Sequence, residues 1–309
     1  MTNANDRLGP PERLVRTLGA ESADEVARAW LAGLPARVGE YLERWELTPE
    51  RVQTPGGRSG MVVLVHGADG TPAALKLCVP DGSAVREHAA LAHWNGRGAV
   101  RVLRADPEAG VLLLERLHGD ISLRSLAEAK AQLEAAGVLQ RLWSPPADGH
   151  AFPGVAAHTA ALADALRGYR EEPWAADVRG VLDEALELRD ALADGGGETP
   201  SLLHGEYHQG SVLAADRVPW LAVGPRPLVG ERAYDLAWLA GDRVDTLLAA
   251  PGAGAAARRR VAKLADSLEV DAERLRGWTV FRAVEAGTRE LAAGARPRGE
   301  LLLEFAGLL

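Results

Sequence analysis

The residues best able to do chemistry gather between Ser201 and Leu239. In "HGEYHQGS", His204, Glu206, His208 and Ser211 fall within eight residues. A carboxylate and two imidazoles at that spacing suit general acid–base work without a metal, with Glu206, His208 and His204 as the candidate groups. A structural hydrogen bond that shapes the loop is the plainer account of His204, and His208 is open between the two. A second pair lies upstream: Lys76 in "ALKLCV", then Glu87 eleven residues later in "VREHAAL". In one class of phosphoryl-transfer enzymes a strand lysine pairs with a helix glutamate and contacts nucleotide phosphates. The spacing alone says little, and its value depends on the order of elements. "TPGGRSG" offers Gly56, Gly57 and Gly60, whose backbone could approach phosphates, although a plain turn explains them equally well.

These groups need elements to hold them. "ADEVARAWLAGLPARVGEYLERWEL" carries Val26, Trp30, Leu31 and Leu34 at helical spacing, so two helices are expected before the first strand. Met61 to Val65 and Ala73 to Val79 are β-rich runs joined by a "GADG" turn, which predicts an antiparallel hairpin. "AVREHAALAHWNG" reads as a helix stopping at Gly96, and "AVRVLRADPEAGVLLLERL" as two more strands around "DPEAG". After Leu117 the pattern turns mainly helical. The expected class is α+β, with an N-terminal lobe over 1–117 and a larger helical lobe over 118–309. Such a pair of lobes places a ligand cleft between them. Where "LLLERLHGD" joins the lobes, the strand end at Glu115 would pair with an adenine edge, or serve as a connector only.

Composition narrows the field. The 309 residues are 47% hydrophobic and 25% charged, as in ordinary globular proteins. A net charge of −8 disfavours nucleic acid as a partner. One cysteine, Cys78, allows no intrachain disulfide and suits a reducing compartment. The start "MTNANDRLGPPERL" lacks the apolar core of a signal peptide, and no apolar run is long enough to span a membrane. The expected location is the cytoplasm, with no membrane partner.

Taken together, "WNGRGAVRVL", "LLLERL", "HGEYHQGSVLAA", "PWLAVGPRPLVGERAYDLAWL" and "GWTVFRA" resemble the aminoglycoside/hydroxyurea antibiotic resistance kinases, the family that includes streptomycin 6-phosphotransferases. The resemblance runs from about Val52 to Arg282. It implies a two-lobed, protein-kinase-like fold of the aminoglycoside phosphotransferase type. The family pattern reads HGDLHxxNVL, then IDPKPLVGDPAYDLA. By that resemblance Glu206 stands for the catalytic-base Asp, Ser211 for a metal-binding Asn, Gly224 for a metal-binding Asp and Arg226 for a neighbouring Lys. His204, His208, Asp235, Lys76 and Glu87 match. Lys76, Glu87, Glu115 and Arg226 are the implied cofactor contacts.

The three replacements bear on the chemistry. Magnesium takes hard oxygen ligands. Glycine supplies none and serine a short one. Glu206 keeps a carboxylate but extends it by one methylene, roughly 1.5 Å. The expectation is a pseudokinase or repurposed, non-phosphorylating protein of natural-product metabolism, which binds a small molecule, a peptide or a partner biosynthetic enzyme. The alternative is an ATP-dependent O-phosphotransferase acting on an aminoglycoside-like alcohol, with Glu206 as base, Lys76 on phosphate, and Glu231 or Asp235 rescuing the metal, although a structural acceptor for backbone N–H groups is the plainer account of Asp235. No cofactor is fixed by the residues alone; ATP is implied by the resemblance, and magnesium is not expected. The substrate would sit against the helices between Leu123 and Asp190.

Overall fold

The structure, a computed structural model, describes residues 8–19 and 25–309. Helices α1 (Glu12–Leu18) and α2 (Glu25–Arg44) come first, followed by strands β1 (Thr48–Val52), β2 (Gly60–His66) and β3 (Pro72–Cys78). Then come α3 (Ser83–Trp94), β4 (Val102–Asp106), β5 (Val111–Glu115) and β6 (His118–Ser122). The first five strands form an antiparallel sheet in the order β1-β2-β3-β5-β4. Alternate side chains of a strand share a face. On one face Met61, Val63, Val65, Ala73, Leu75 and Leu77 join Trp30, Leu34, Val38 and Tyr41 of α2 in a buried core. The same alternation turns Lys76 to the other face. The β2–β3 hairpin and α2 are where the sequence places them, and two helices do precede the strands, but α1 lies upstream of the stretch whose periodicity announced them. β1 was not foreseen: "TPERV" holds a proline and is mostly exposed, as suits an edge strand.

Further along lie α4 (Glu128–Leu142), α5 (Val155–Arg170), α6 (Arg179–Leu192) and four short strands. These are β7 (Ser201–Leu203), β8 (Val212–Ala214), β9 (Trp220–Ala222) and β10 (Leu228–Gly230). Helices α7 (Arg232–Ala240), α8 (Val244–Leu248), α9 (Ala253–Ser267), α10 (Ala272–Ala292) and α11 (Arg296–Gly307) complete the chain. Two compact units result. One runs to Ser122 and takes back Leu213–Val223; the other joins Leu123–Val212 to Gly224–Leu309. The first unit therefore extends five residues past Leu117 and recovers a hairpin from far downstream.

That hairpin belongs to the first unit for clear reasons. Residues 213 and 214 of β8 pair with β6, which gives a three-stranded sheet in the order β6-β8-β9. Arg217, in its turn, binds the Glu115 carboxylate at 2.8 Å and the Gly96 carbonyl at 2.9 Å.

The second unit is built around α10. Its Leu275, Trp278, Phe281, Val284 and Thr288 recur at three- and four-residue spacing and are buried. Asp271 caps the helix by accepting from the Arg274 amide at 2.8 Å. Helices α6, α7 and α11 pack against it. Among the described residues no helix is long and apolar enough to cross a membrane.

Candidate active site

In the first unit, Lys76 Nζ lies 2.6 Å from both carboxylate oxygens of Glu87. Helix α3 buries Ala84, Glu87, Leu91 and Trp94 on one stripe, so Glu87 is a carboxylate in an otherwise apolar row. Such a group must be paired. The Lys76 ammonium answers it, and 19% of that side chain stays exposed.

Glu115 is a correction. Its carboxylate accepts from the Arg101 amide at 2.8 Å and from Arg217, and its own amide donates to the Arg101 carbonyl at 3.0 Å. These bonds make it a tie between β4, β5 and the returning hairpin, not a cofactor contact. Two of the three glycines in "TPGGRSG" are likewise accounted for by packing. A Cβ on Gly56 would lie 2.7 Å from the Pro11 ring, and one on Gly60 2.7 Å from the Leu77 carbonyl. A depression of about 280 Å³ opens beyond the end of β5, lined by Leu64, Arg116, Leu117, Gly119 and Ile121 among others.

In the second unit the loop from His204 to Ser211 is held at both ends by buried carboxylates. Asp235, fully buried on α7, accepts from the amides of His204 and Gly205, each at 2.9 Å, and from Trp143 Nε1 at 3.3 Å. Burial pushes its carboxyl up, against the opposing pull of those hydrogen bonds. Asp242 accepts from the Gln209 amide at 2.7 Å. Between them, Gly205 has φ +80°, and a Cβ there would meet the Arg226 carbonyl at 1.9 Å, so only glycine fits. Trp238 Nε1 donates to the Gly205 carbonyl at 2.7 Å.

This scaffold sorts the expected site residues. His204 is fully buried with its ring edge-on to Tyr207 at 5.4 Å, so it stands within the packing of the loop. His208 lies 6.5 Å from the Trp238 ring, and its amide donates to Ser211 Oγ at 3.1 Å. Ser211 Oγ in turn donates to the His208 carbonyl at 2.8 Å. Glu206 is 38% exposed, and its Oε2 lies 2.8 Å from Arg226 Nε. Arg226 is thus the ion-pair partner of Glu206, a relation the motif spacing does not reveal. Gly224, two residues before it, has φ +65°, with nothing within 4 Å of where a Cβ would stand.

A further residue escaped the sequence reading. Arg282 on α10 lies between Tyr234 and Trp238, its guanidinium carbon 4.3 and 4.0 Å from the two ring centroids. Its Nη1 is buried beside Tyr234, with no other hydrogen-bond partner among the described residues. The only advance signal was its place in "GWTVFRA".

The family pattern implies magnesium, and the residues here do not fit it. Ser211 Oγ is engaged with His208, and Gly224 has no side chain. Neither expected rescue group is available. Asp235 is spent on the loop, and Glu231 binds Arg274 at 2.6 Å and Trp278 Nε1 at 2.6 Å. Among the described residues no group of three or more His, Cys, Asp or Glu is placed to hold a metal ion.

The architecture is that of the aminoglycoside phosphotransferases and related small-molecule kinases. Aminoglycoside phosphotransferase APH(4)-Ia, in a ternary complex with ADP and hygromycin B, superposes with a TM-score of 0.61 over 87% of this chain and 96% of that one, at 14% identity. Choline kinase LicA of Streptococcus pneumoniae gives 0.59 over 89% and 99%, at 13% identity. The profile of the aminoglycoside/hydroxyurea antibiotic resistance kinases matches residues 44–294, and the chain belongs to that family. Streptomycin 6-kinase of Streptomyces griseus is 38% identical over 92% of this chain and 91% of its own. Hydroxyurea phosphotransferase of Kitasatospora aureofaciens is 38% identical over 84% and 73%.

Proposed function

We propose that the chain is an ATP-dependent O-phosphotransferase acting on the hydroxyl of an antibiotic-like small molecule, with Glu206 as general base. Relatives that match it over most of their length are named as kinases or as a phosphotransferase, which favours this reading over the expected pseudokinase. The observation that carries it is the Glu206–Arg226 pair. The family's base position keeps a carboxylate, and a guanidinium holds that carboxylate by one oxygen. Oε1 has no partner among the described residues and can take a proton from a substrate hydroxyl. That hydroxyl oxygen then forms its bond to phosphorus as the bond to the leaving diphosphate breaks. ATP, when bound, supplies the phosphoryl group. Lys76, fixed by Glu87, offers a pre-positioned positive charge for phosphate.

A second reading is ligand binding without transfer. Gly224 and the engaged Ser211 favour it, because charge neutralisation is the larger part of phosphoryl-transfer catalysis. Incubation with γ-labelled ATP and streptomycin or hydroxyurea separates the two. Slow appearance of labelled acceptor supports transfer. An acceptor that binds and stays unlabelled overturns it in favour of binding alone.

A further inference from the structure

The loop that does not fit a divalent ion carries fixed cations instead. We propose that Arg226, supported by Arg282, takes the place of the metal, and that the second unit receives the phosphate groups of a nucleotide without magnesium. The choice of nucleotide as ligand rests on the phosphotransferase reading.

Arg226 has the geometry for this. A guanidinium presents two donor edges. Its Nε serves Glu206 at 2.8 Å, while the Nη1/Nη2 edge has no partner among the described residues and the side chain is 66% exposed. That edge matches two oxygens of one phosphate. Beside it, Gly224 leaves open the space that an aspartate would fill in the family pattern.

Arg282, from α10, adds a second charge against the same loop. Its Nη2 approaches the Gly205 carbonyl at 3.5 Å, next to Glu206. Stacking on Tyr234 and Trp238 holds the buried guanidinium, and the carboxylates of Asp235, Glu285 and Glu206 support its charge. His158 on α5 senses both. Its imidazole pKa is lowered first by burial, then by Arg282 and Arg226. A divalent cation entering here would meet the two guanidinium groups beside the Glu206 carboxylate.

The test is calorimetric titration of ATP into wild type, Arg226→Gln and Arg226→Lys, in EDTA and in excess magnesium. Arg226 is exposed, so its variants should keep the fold, which circular dichroism verifies. Equal wild-type affinity in both buffers is expected, with a loss of about tenfold or more in Arg226→Gln, the scale of a charge-assisted hydrogen bond. Arg226→Lys, which keeps charge but not the fork, should fall between. A tenfold gain from magnesium in wild type, with Arg226→Gln unaffected, overturns the inference and leaves the kinase reading standing. No binding of ATP in either buffer would remove the nucleotide reading as well.

Discussion

Arg226 Nε lies 2.8 Å from Glu206 Oε2, across twenty residues of chain. Both side chains are more than a third exposed, so solvent screens the pair and it adds at most about 1 kcal/mol to stability. Its importance is therefore placement of the carboxylate. Arg226→Gln should leave the unfolding midpoint in urea nearly unchanged. A large drop would show that the pair is a structural support.

The Lys76–Glu87 pair is the opposite case. Glu87 is almost wholly buried, and removing Lys76 leaves its charge without a partner. Lys76→Ala should cost about 3 kcal/mol or more in chemical denaturation. Replacing both residues with apolar ones of similar volume should recover most of that stability. A single variant as stable as wild type would mean that the pair opens readily in solution.

Asp235 holds the start of the His204–Ser211 loop through two backbone amides. Asp235→Ala strands both buried donors and should destabilise by roughly 3 kcal/mol, from about 1–3 kcal/mol for each unsatisfied group. Asp235→Asn keeps an acceptor and should cost less. Hydrogen exchange at His204 and Gly205 reads the effect locally, and unchanged protection in Asp235→Ala would contradict it.

His158 gives a pH signature. Burial, then Arg282 and Arg226, hold its folded-state pKa below the ordinary 6.5. Its contribution to stability is complete above 6.5 and is lost as pH falls through the depressed folded value, because the unfolded chain then binds the extra proton. His158→Gln, which cannot titrate, should flatten the stability profile below pH 6.5. An unchanged slope would assign the dependence to other groups.

Restoring the family's ligand set tests what was lost. Glu206→Asp, Ser211→Asn and Gly224→Asp together should create manganese binding visible by electron paramagnetic resonance in the presence of ATP. The open space at Gly224 admits the side chain, at about 1–2 kcal/mol for an L-residue with positive φ. Failure to gain the signal would show that the surrounding groups also exclude a metal.

Much of the fold was legible because local rules act over short stretches. The alternation in β2 and β3 and the apolar stripe of α3 are enough to put Lys76 and Glu87 on facing sides. β1 escaped because its pairing with β2, not its own exposed and proline-bearing sequence, makes it a strand. Glu115 was misjudged because its partner Arg217 lies 102 residues away. The metal-rescue role offered for Glu231 fails for the same reason, whereas Asp235 is the acceptor for backbone N–H groups that its plainer account gives. Motif spacing counts carboxylates but does not show that Arg274, Trp278 and the His204 and Gly205 amides already occupy them.

Glu206 acting as general base is tested most directly by single-turnover transfer from γ-labelled ATP to streptomycin. Wild type and Glu206→Gln, compared at matched folding stability, should differ by about 10²-fold or more, the usual contribution of a general base. Equal rates in the two proteins, or no labelled product from wild type at any pH, would contradict it.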